Sequence, residues 1–246
     1  MDLASIIGVV LGIGAILVGQ MLEGGSISSI SQPVAAIIVF GGTIGATMAG
    51  FPLSAAKGAA AGIVKVFLGG ASKDRAYITE ITRYAAKARK NGIISLESDI
   101  KATKDLFLQK ALRFVVDGID PKVLQGILET EIGKLDEVGE MPAKFFESAG
   151  GFAPTIGIIG AVLGLIQVMQ NLADPSKLGS GIAVAFVATV YGVGAANLIF
   201  LPFAAKLKYR HKKDIATKEM ILEGILAMQA AEQPQVIEER LKSYIE

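Results

Sequence analysis

The chain of 246 residues contains no cysteine. That excludes a disulfide framework, a thiol nucleophile and thiolate metal sites together. Histidine occurs once, at His211, too rarely to build an imidazole metal cluster, and no catalytic trio, phosphate loop or metal-ligand spacing is visible. Neither an enzymatic role nor a resident cofactor or metal is expected. Net charge is close to nil: 24 basic and 23 acidic residues leave +1, which gives no reason to expect nucleic acid as a partner. Charge is also sparse, at 19% of residues against 52% hydrophobic, a balance tilted toward lipid as part of the solvent.

The sparse charge is unevenly placed. Leu3 to Leu22 has none over 20 residues, Ser26 to Ala56 none over 31, Ser148 to Ala173 none over 26, and Leu178 to Ala205 none over 28. Each run is long enough to cross about 30 Å of hydrocarbon as a helix. The first lacks the basic start of a signal peptide, runs too long for one and is followed at once by a second apolar segment. Four spans are expected, in an all-α membrane protein with a helical cytoplasmic domain. The division is a hairpin over residues 1–56 (spans 1 and 2), a loop over 57–147, a second hairpin over 148–205 (spans 3 and 4) and a tail over 206–246.

Basic residues orient these spans, because Lys and Arg beside a span stay on the cytoplasmic side. Fifteen lie between Lys57 and Lys144, eight between Lys206 and Lys242, and only Lys177 elsewhere, so both termini and the long loop are expected in the cytoplasm. In that loop a periodic helix from Asp74 to Lys90 ends at Asn91-Gly92, a pair suited to a left-handed cap. Ser95 is expected to cap the next helix, with Glu97 in its first turn. Asp120-Pro121 reads as an N-cap and first helical residue, opening a helix to about Glu140, and Gln233-Pro234 splits the tail. The basic cluster from Lys206 to Lys213 reads as a juxtamembrane anchor in which His211 is solvated.

None of the spans holds Asp, Glu, Lys, Arg or His between its ends. Ionisable side chains are what proton relays in membranes use, so conduction by this chain requires a carboxylate from another subunit. Its own spans offer hydroxyls and amides: Thr43, Thr47, Thr155, Thr189, Tyr191, Asn197, Gln167 and Gln170. Taken alone, Pro154 fits a first helical turn where no hydrogen bond is lost, and Thr155 and Thr189 fit bonds to their own i−4 carbonyls. Arg89 and Lys90 at a helix end and Glu97 at a helix start likewise fit the helix dipoles. Gly8/Gly12, Gly41/Gly45 and Gly160/Gly164 have the spacing that lets helices approach closely.

Three segments taken together resemble the MotA/TolQ/ExbB family, and within it the MotA-type stators of the bacterial flagellar motor. They are Ala88-Arg89-Lys90-Asn91-Gly92 with Leu96-Glu97; Gly151-Phe152-Ala153-Pro154-Thr155 continuing to Ala161; and Gly181 to Gly192 with Pro202. TolQ and ExbB relatives have three spans, whereas this chain has an additional leading hairpin. The resemblance implies a homo-oligomer, a pentamer, around a dimer of a MotB-like single-span, peptidoglycan-binding protein that supplies the membrane aspartate. It implies that ion flow turns the pentamer and that the loop pushes on the rotor's switch-complex protein. Pro154, Thr155, Thr189 and Pro202 then belong to the ion pathway, and Arg89, Lys90 and Glu97 to the rotor interface. Sodium-type relatives carry hydroxyls where Ala161 and Ala188 stand here. Sodium needs several hard oxygen ligands that alanine cannot supply, so the implied coupling ion is H+. Three alternatives remain: a TolQ/ExbB-like energiser of envelope transport; a small-molecule transporter, for which the two hairpins give no convincing inverted pair; and a structural scaffold, which would leave the prolines and threonines without purpose.

Overall fold

The structure is a computed structural model that describes residues 2–68 and 74–245. It is all-helical, with no strand among the described residues. Helix α1 (Leu3–Leu22) opens on Asp2, whose carboxylate accepts the Ser5 N–H at 3.2 Å. Helix α2 (Pro33–Gly50) starts with proline at its first position and contains a π turn at Ile37–Gly41. It stops at Phe51, which is extended because Pro52 follows it. Helix α3 covers Leu53–Phe67, α4 Asp74–Asn91, α5 Glu97–Ala102 and α6 Leu106–Val116.

Helix α7 runs from Pro121 to Gln170 without a break. The expected stop near Glu140 is therefore corrected: polar residues give way to apolar ones there, but a change of solvent is not a helix terminator, and no Gly-cap or extended residue intervenes. Its start is as read, with the Asp120 carboxylate accepting from Lys122 N–H at 2.9 Å ahead of Pro121. Helix α8 (Pro175–Gln229) opens on Asp174-Pro175 and carries a π turn at Ala196–Phe200, and α9 (Pro234–Lys242) follows the Gln233-Pro234 break.

The chain forms two compact units. The membrane unit comprises residues 1–69 and 140–209, with four helices long and apolar enough to cross a membrane reaching into it. Its buried side chains are few and small. Ala35, Val39, Val184, Val187 and Ala188 form one cluster, and Ala59, Val66, Ala143, Phe146, Phe203, Ala204 and Leu207 form another. Helix α1 buries none of its residues within the chain, as suits a helix facing lipid. Asp2 ties the chain's start to this unit, pairing with Lys206 at 2.5 Å and donating its backbone N–H to the Phe67 carbonyl.

The loop unit comprises residues 70–139 and 210–246. It has a conventional core of large side chains, including Ile81, Tyr84, Leu96, Leu108, Leu112, Leu124, Leu128, Ile221, Ile225, Ile237 and Leu241, all at 2% exposure or less. Gly92 at φ +80° ends α4, as the Asn-Gly pair predicts. Ser95 does not cap α5: its hydroxyl turns back to the Gly92 carbonyl at 2.7 Å, and Leu96 occupies the cap position with no side-chain bond. A one-turn Ile93–Leu96 helix inserted there leaves Ser95 out of reach of the N–H groups it was expected to meet.

Candidate functional site

In the membrane unit, α7 and α8 meet along a seam of residues with little or no side chain. A Cβ on Gly157 would fall 2.9 Å from the Ala188 carbonyl oxygen and 3.2 Å from the Gly192 Cα. One on Gly164 would fall 2.7 Å from both the Ala185 nitrogen and the Gly181 oxygen, and one on Gly192 would meet the Gly157 Cα at 3.0 Å. Backbone touches backbone at these places, so no flexible side chain can yield to an added methyl group. Gly160/Gly164 thus realises its close-approach spacing within the chain, and Gly12 contacts Leu198, whereas Gly8, Gly41 and Gly45 face open space.

The seam brings Pro154 and Thr155 of α7 to the level of Thr189 of α8: the missing Gly157 Cβ lies 3.5 Å from the Thr189 Cα. Pro154 is inside the helix, 33 residues after its start, and not in a first turn. It therefore deprives the Gly150 carbonyl of an intrahelical N–H. The threonines behave differently from one another. The Thr189 hydroxyl donates to the Ala185 carbonyl four residues back at 3.3 Å, while Thr155 bonds Phe152, three residues back, at 2.8 Å instead of an i−4 partner. Both threonines are exposed in the single chain, so their hydroxyl positions open outward from the seam.

Pro202 is not at this level. It sits 13 residues beyond Thr189, about 20 Å along the axis, immediately after the π turn in which the Leu201 N–H reaches back to the Ala196 carbonyl. Its neighbour Leu201 packs on Gly150, so the weak points made by the two prolines lie across from each other. Sequence reasoning did not single out Gly150 and Leu201, and nothing in their spacing marks them. Ala188 is completely buried: its Cβ faces Gly160 and the Ala35, Val39 cluster. Ala161 is half-buried.

The other expected site lies in the second unit. Arg89 and Lys90 in the last turn of α4 and Glu97 at the start of α5 are exposed, and none has an ion-pair partner among the described residues. The charges beside them are neutralised: Asp99 takes Lys87 at 2.5 Å and Arg83 at 3.6 Å. Toward the opposite end of α4, beside Tyr77, Asp105 is a hub. It caps α6 through the Leu108 N–H at 2.9 Å, binds Lys218 Nζ at 2.8 Å and accepts from the Tyr77 hydroxyl at 2.9 Å. Burial alone would raise its pKa, but the Lys218 bond and charge, the Leu108 N–H and the Tyr77 hydroxyl together hold it below the ordinary carboxylate range. The same burial and the neighbouring Asp105 carboxylate push the Tyr77 phenol far up.

His211 is a correction. It is not solvated: its side chain is 12% exposed, with Nε2 bonded to both the backbone oxygen and the carboxylate of Asp136, at 3.0 and 2.8 Å. The imidazole rests where Gly139 has no side chain, and any Cβ there would displace it.

Comparison with known proteins bears on the whole chain. Residues 99–220 match the MotA/TolQ/ExbB proton channel family, and residues 6–92 match the motility protein A N-terminal family. A motility protein A of Helicobacter pylori is 37% identical over 100% of this chain and 95% of its own length. The chain belongs to the MotA/TolQ/ExbB proton channel family. Among solved structures, C. jejuni MotAB superposes with a TM-score of 0.94 at 29% identity, covering 100% of this chain and 96% of that one. The flagellar MotAB stator complex from Bacillus subtilis gives 0.89 at 32% identity, covering 98% and 95%.

In this member of the MotA/TolQ/ExbB family, the leading hairpin is fastened to α8 by Tyr191. Its hydroxyl donates to the Ile30 carbonyl at 2.6 Å and accepts the Gln32 N–H at 3.3 Å, and its ring packs 5.9 Å from that of Phe40. The sequence shows Tyr191 as one hydroxyl among several in the spans. Only the fold reveals that it holds the connection between α1 and α2.

Proposed function

We infer that the chain is a stator subunit of the bacterial flagellar motor, a multi-pass protein of the inner membrane that works with a MotB-like partner to turn inward ion flow into torque. The observation that carries this is a whole-chain likeness to MotAB stators in a membrane unit whose spans own no acid or base. The missing carboxylate comes from the single-span partner, a dimer enclosed by a pentamer of this chain. Thr155 and Thr189, exposed on either side of the seam, line the path beside that carboxylate. Pro154 and Pro202 supply backbone compliance where their helices have lost a hydrogen bond. Protons are the coupling ion, in keeping with the family and with the methyl groups at Ala161 and Ala188.

The termini and the large loop are cytoplasmic. Asp2 meets Lys206 and the Phe67 carbonyl, so the start of α1 is at the same end of the membrane unit as the basic residues that follow span 4. Arg89, Lys90 and Glu97, exposed and without ion pairs among the described residues, face the rotor's switch-complex protein. Moving one charge through 100 mV releases about 2.3 kcal/mol, so each step of the rotor draws on several ion passages.

Swimming and stator assembly measured in Pro154→Leu and Arg89→Glu strains test this reading. Assembled but non-swimming cells are expected for both. Undiminished swimming in both strains would refute it. Vesicles holding this chain without its partner are expected to retain an imposed pH gradient.

A further inference from the structure

Ile94 and Leu106 are the most exposed large apolar side chains of the second unit, and Ile94 lies between the charges of α4 and α5. It is 75% exposed, although Ile93 packs against the core and Leu96 is fully buried on the same turn. Apolar side chains exposed singly are common on protein surfaces. Ile94 differs in how it is held and in what surrounds it. Gly92 at φ +80° turns the chain outward, and the Gly92 carbonyl takes both the Ser95 N–H at 3.1 Å and the Ser95 hydroxyl at 2.7 Å. A β-branched side chain adds its own stiffness at χ1. Ile94 is thus presented on a fixed turn between α4 and α5.

On the chain before it come Arg89 and Lys90, and after it Glu97, all exposed and without ion pairs among the described residues. Arg83, Lys87 and Asp99, nearby in the same elements, satisfy one another. Three charges without ion pairs among the described residues therefore flank, along the chain, the one large apolar side chain that this turn exposes. Protein interfaces concentrate their binding energy in such an arrangement, an apolar anchor with a polar rim in which arginine is enriched.

We propose that Ile94 is the apolar anchor of the rotor-facing surface. It enters a shallow apolar site on the partner, flanked on one side by an acidic group that meets Arg89 and Lys90 and on the other by a basic group that meets Glu97. This rests on the reading of Arg89, Lys90 and Glu97 as the rotor face, and it names the contact that the charges orient. Charges in the rim steer and register the encounter, while desolvation of the isoleucine holds it through the stroke.

The test uses complete stators with their partner in tethered cells, measuring torque together with the number of stators assembled. Ile94→Leu is expected to keep near-parental torque and Ile94→Ser to lose most of it, with the number of assembled stators unchanged, since Ile94 is not part of the core cluster. Ile94→Ala replaces Ile94→Ser as the deciding variant should the serine protein fail to reach the membrane. Parental torque from the polar or truncated variant, with Arg89→Glu inactive, overturns the anchor and leaves the rotor face standing. An Ile94→Leu motor as weak as the serine one also overturns it, because apolar burial would then not be what the position supplies. Parental torque from Arg89→Glu as well removes the rotor-face reading itself.

Discussion

The two units of this chain are held together by opposite means. In the membrane unit the contacts that matter are between atoms of the main chain, at Gly157, Gly164, Gly181 and Gly192, and the buried side chains are mostly Ala and Val. The loop unit instead buries Leu, Ile, Met and Tyr and fixes its helices with polar hubs such as Asp105 and the Tyr84 hydroxyl, which bonds Glu80 and, at 2.9 Å, Thr103. The difference follows from the solvent. Lipid offers no hydrophobic reward for bringing two apolar helices together, so only close fit and dispersion remain. Water rewards burial of large apolar side chains by about 25 cal/mol per Å², and there the remaining task is to satisfy the polar groups carried in with them.

Substitutions that exchange these two modes sharpen the contrast. The largest effect is expected for Gly157→Val. Its added carbons meet the Ala188 carbonyl and the Gly192 Cα, so α7 and α8 must separate. Swimming and recovery of the assembled complex from membranes should both be lost, and a normally assembled Gly157→Val stator would show that the seam can yield.

Next in size is Asp105→Ala in the loop unit. It removes a helix cap, a tyrosine bond and the partner of Lys218, and should lower stability at neutral pH by about 2–4 kcal/mol, read as a drop in the melting temperature of the purified protein. Because the folded carboxyl has a lowered pKa, this contribution is present above the unfolded value near 4 and disappears as pH falls through the folded value. The gap between parent and variant should close in acid, and a gap independent of pH would contradict the ionic account. The smallest effect is expected for Thr43→Val. The Thr43 hydroxyl is completely buried in α2 with no partner among the described residues, so its loss should change the melting temperature little or raise it. A large drop would show that this hydroxyl is engaged.

Much of the architecture is legible in the residues. Charge-free runs mark the spans, Asn91-Gly92 marks the end of α4, and Asp120-Pro121 marks the start of α7, because each depends on local chemistry. What local chemistry cannot display is where one element makes room for another. Pro142 and Pro154 are strong helix breakers in isolation, yet α7 passes through both. Gly58, lacking a side chain, leaves space for the Pro142 ring, and Gly62 does the same for Leu207. Gly139 likewise admits His211, and no periodicity links residues 72 positions apart. The same limit applies to the candidate site. Pro154, Thr155 and Thr189 can be named from sequence segments, but the opposition of Gly150 and Leu201 and the clasp made by Tyr191 exist only once the helices are placed.

The Tyr191 clasp also sets a height. Tyr191 lies sixteen residues past Pro175, about 24 Å along α8, yet it grips the turn of the first hairpin. The 20 residues of α1 measure about 30 Å, whereas α8 from Pro175 to residue 205 measures about 46 Å. A bilayer matched to the short pair leaves the tall pair standing proud as a collar. That collar is edged with the polar side chains of Gln167, Gln170, Asn171, Ser176 and Ser180, a rim suited to water and headgroups and not to hydrocarbon.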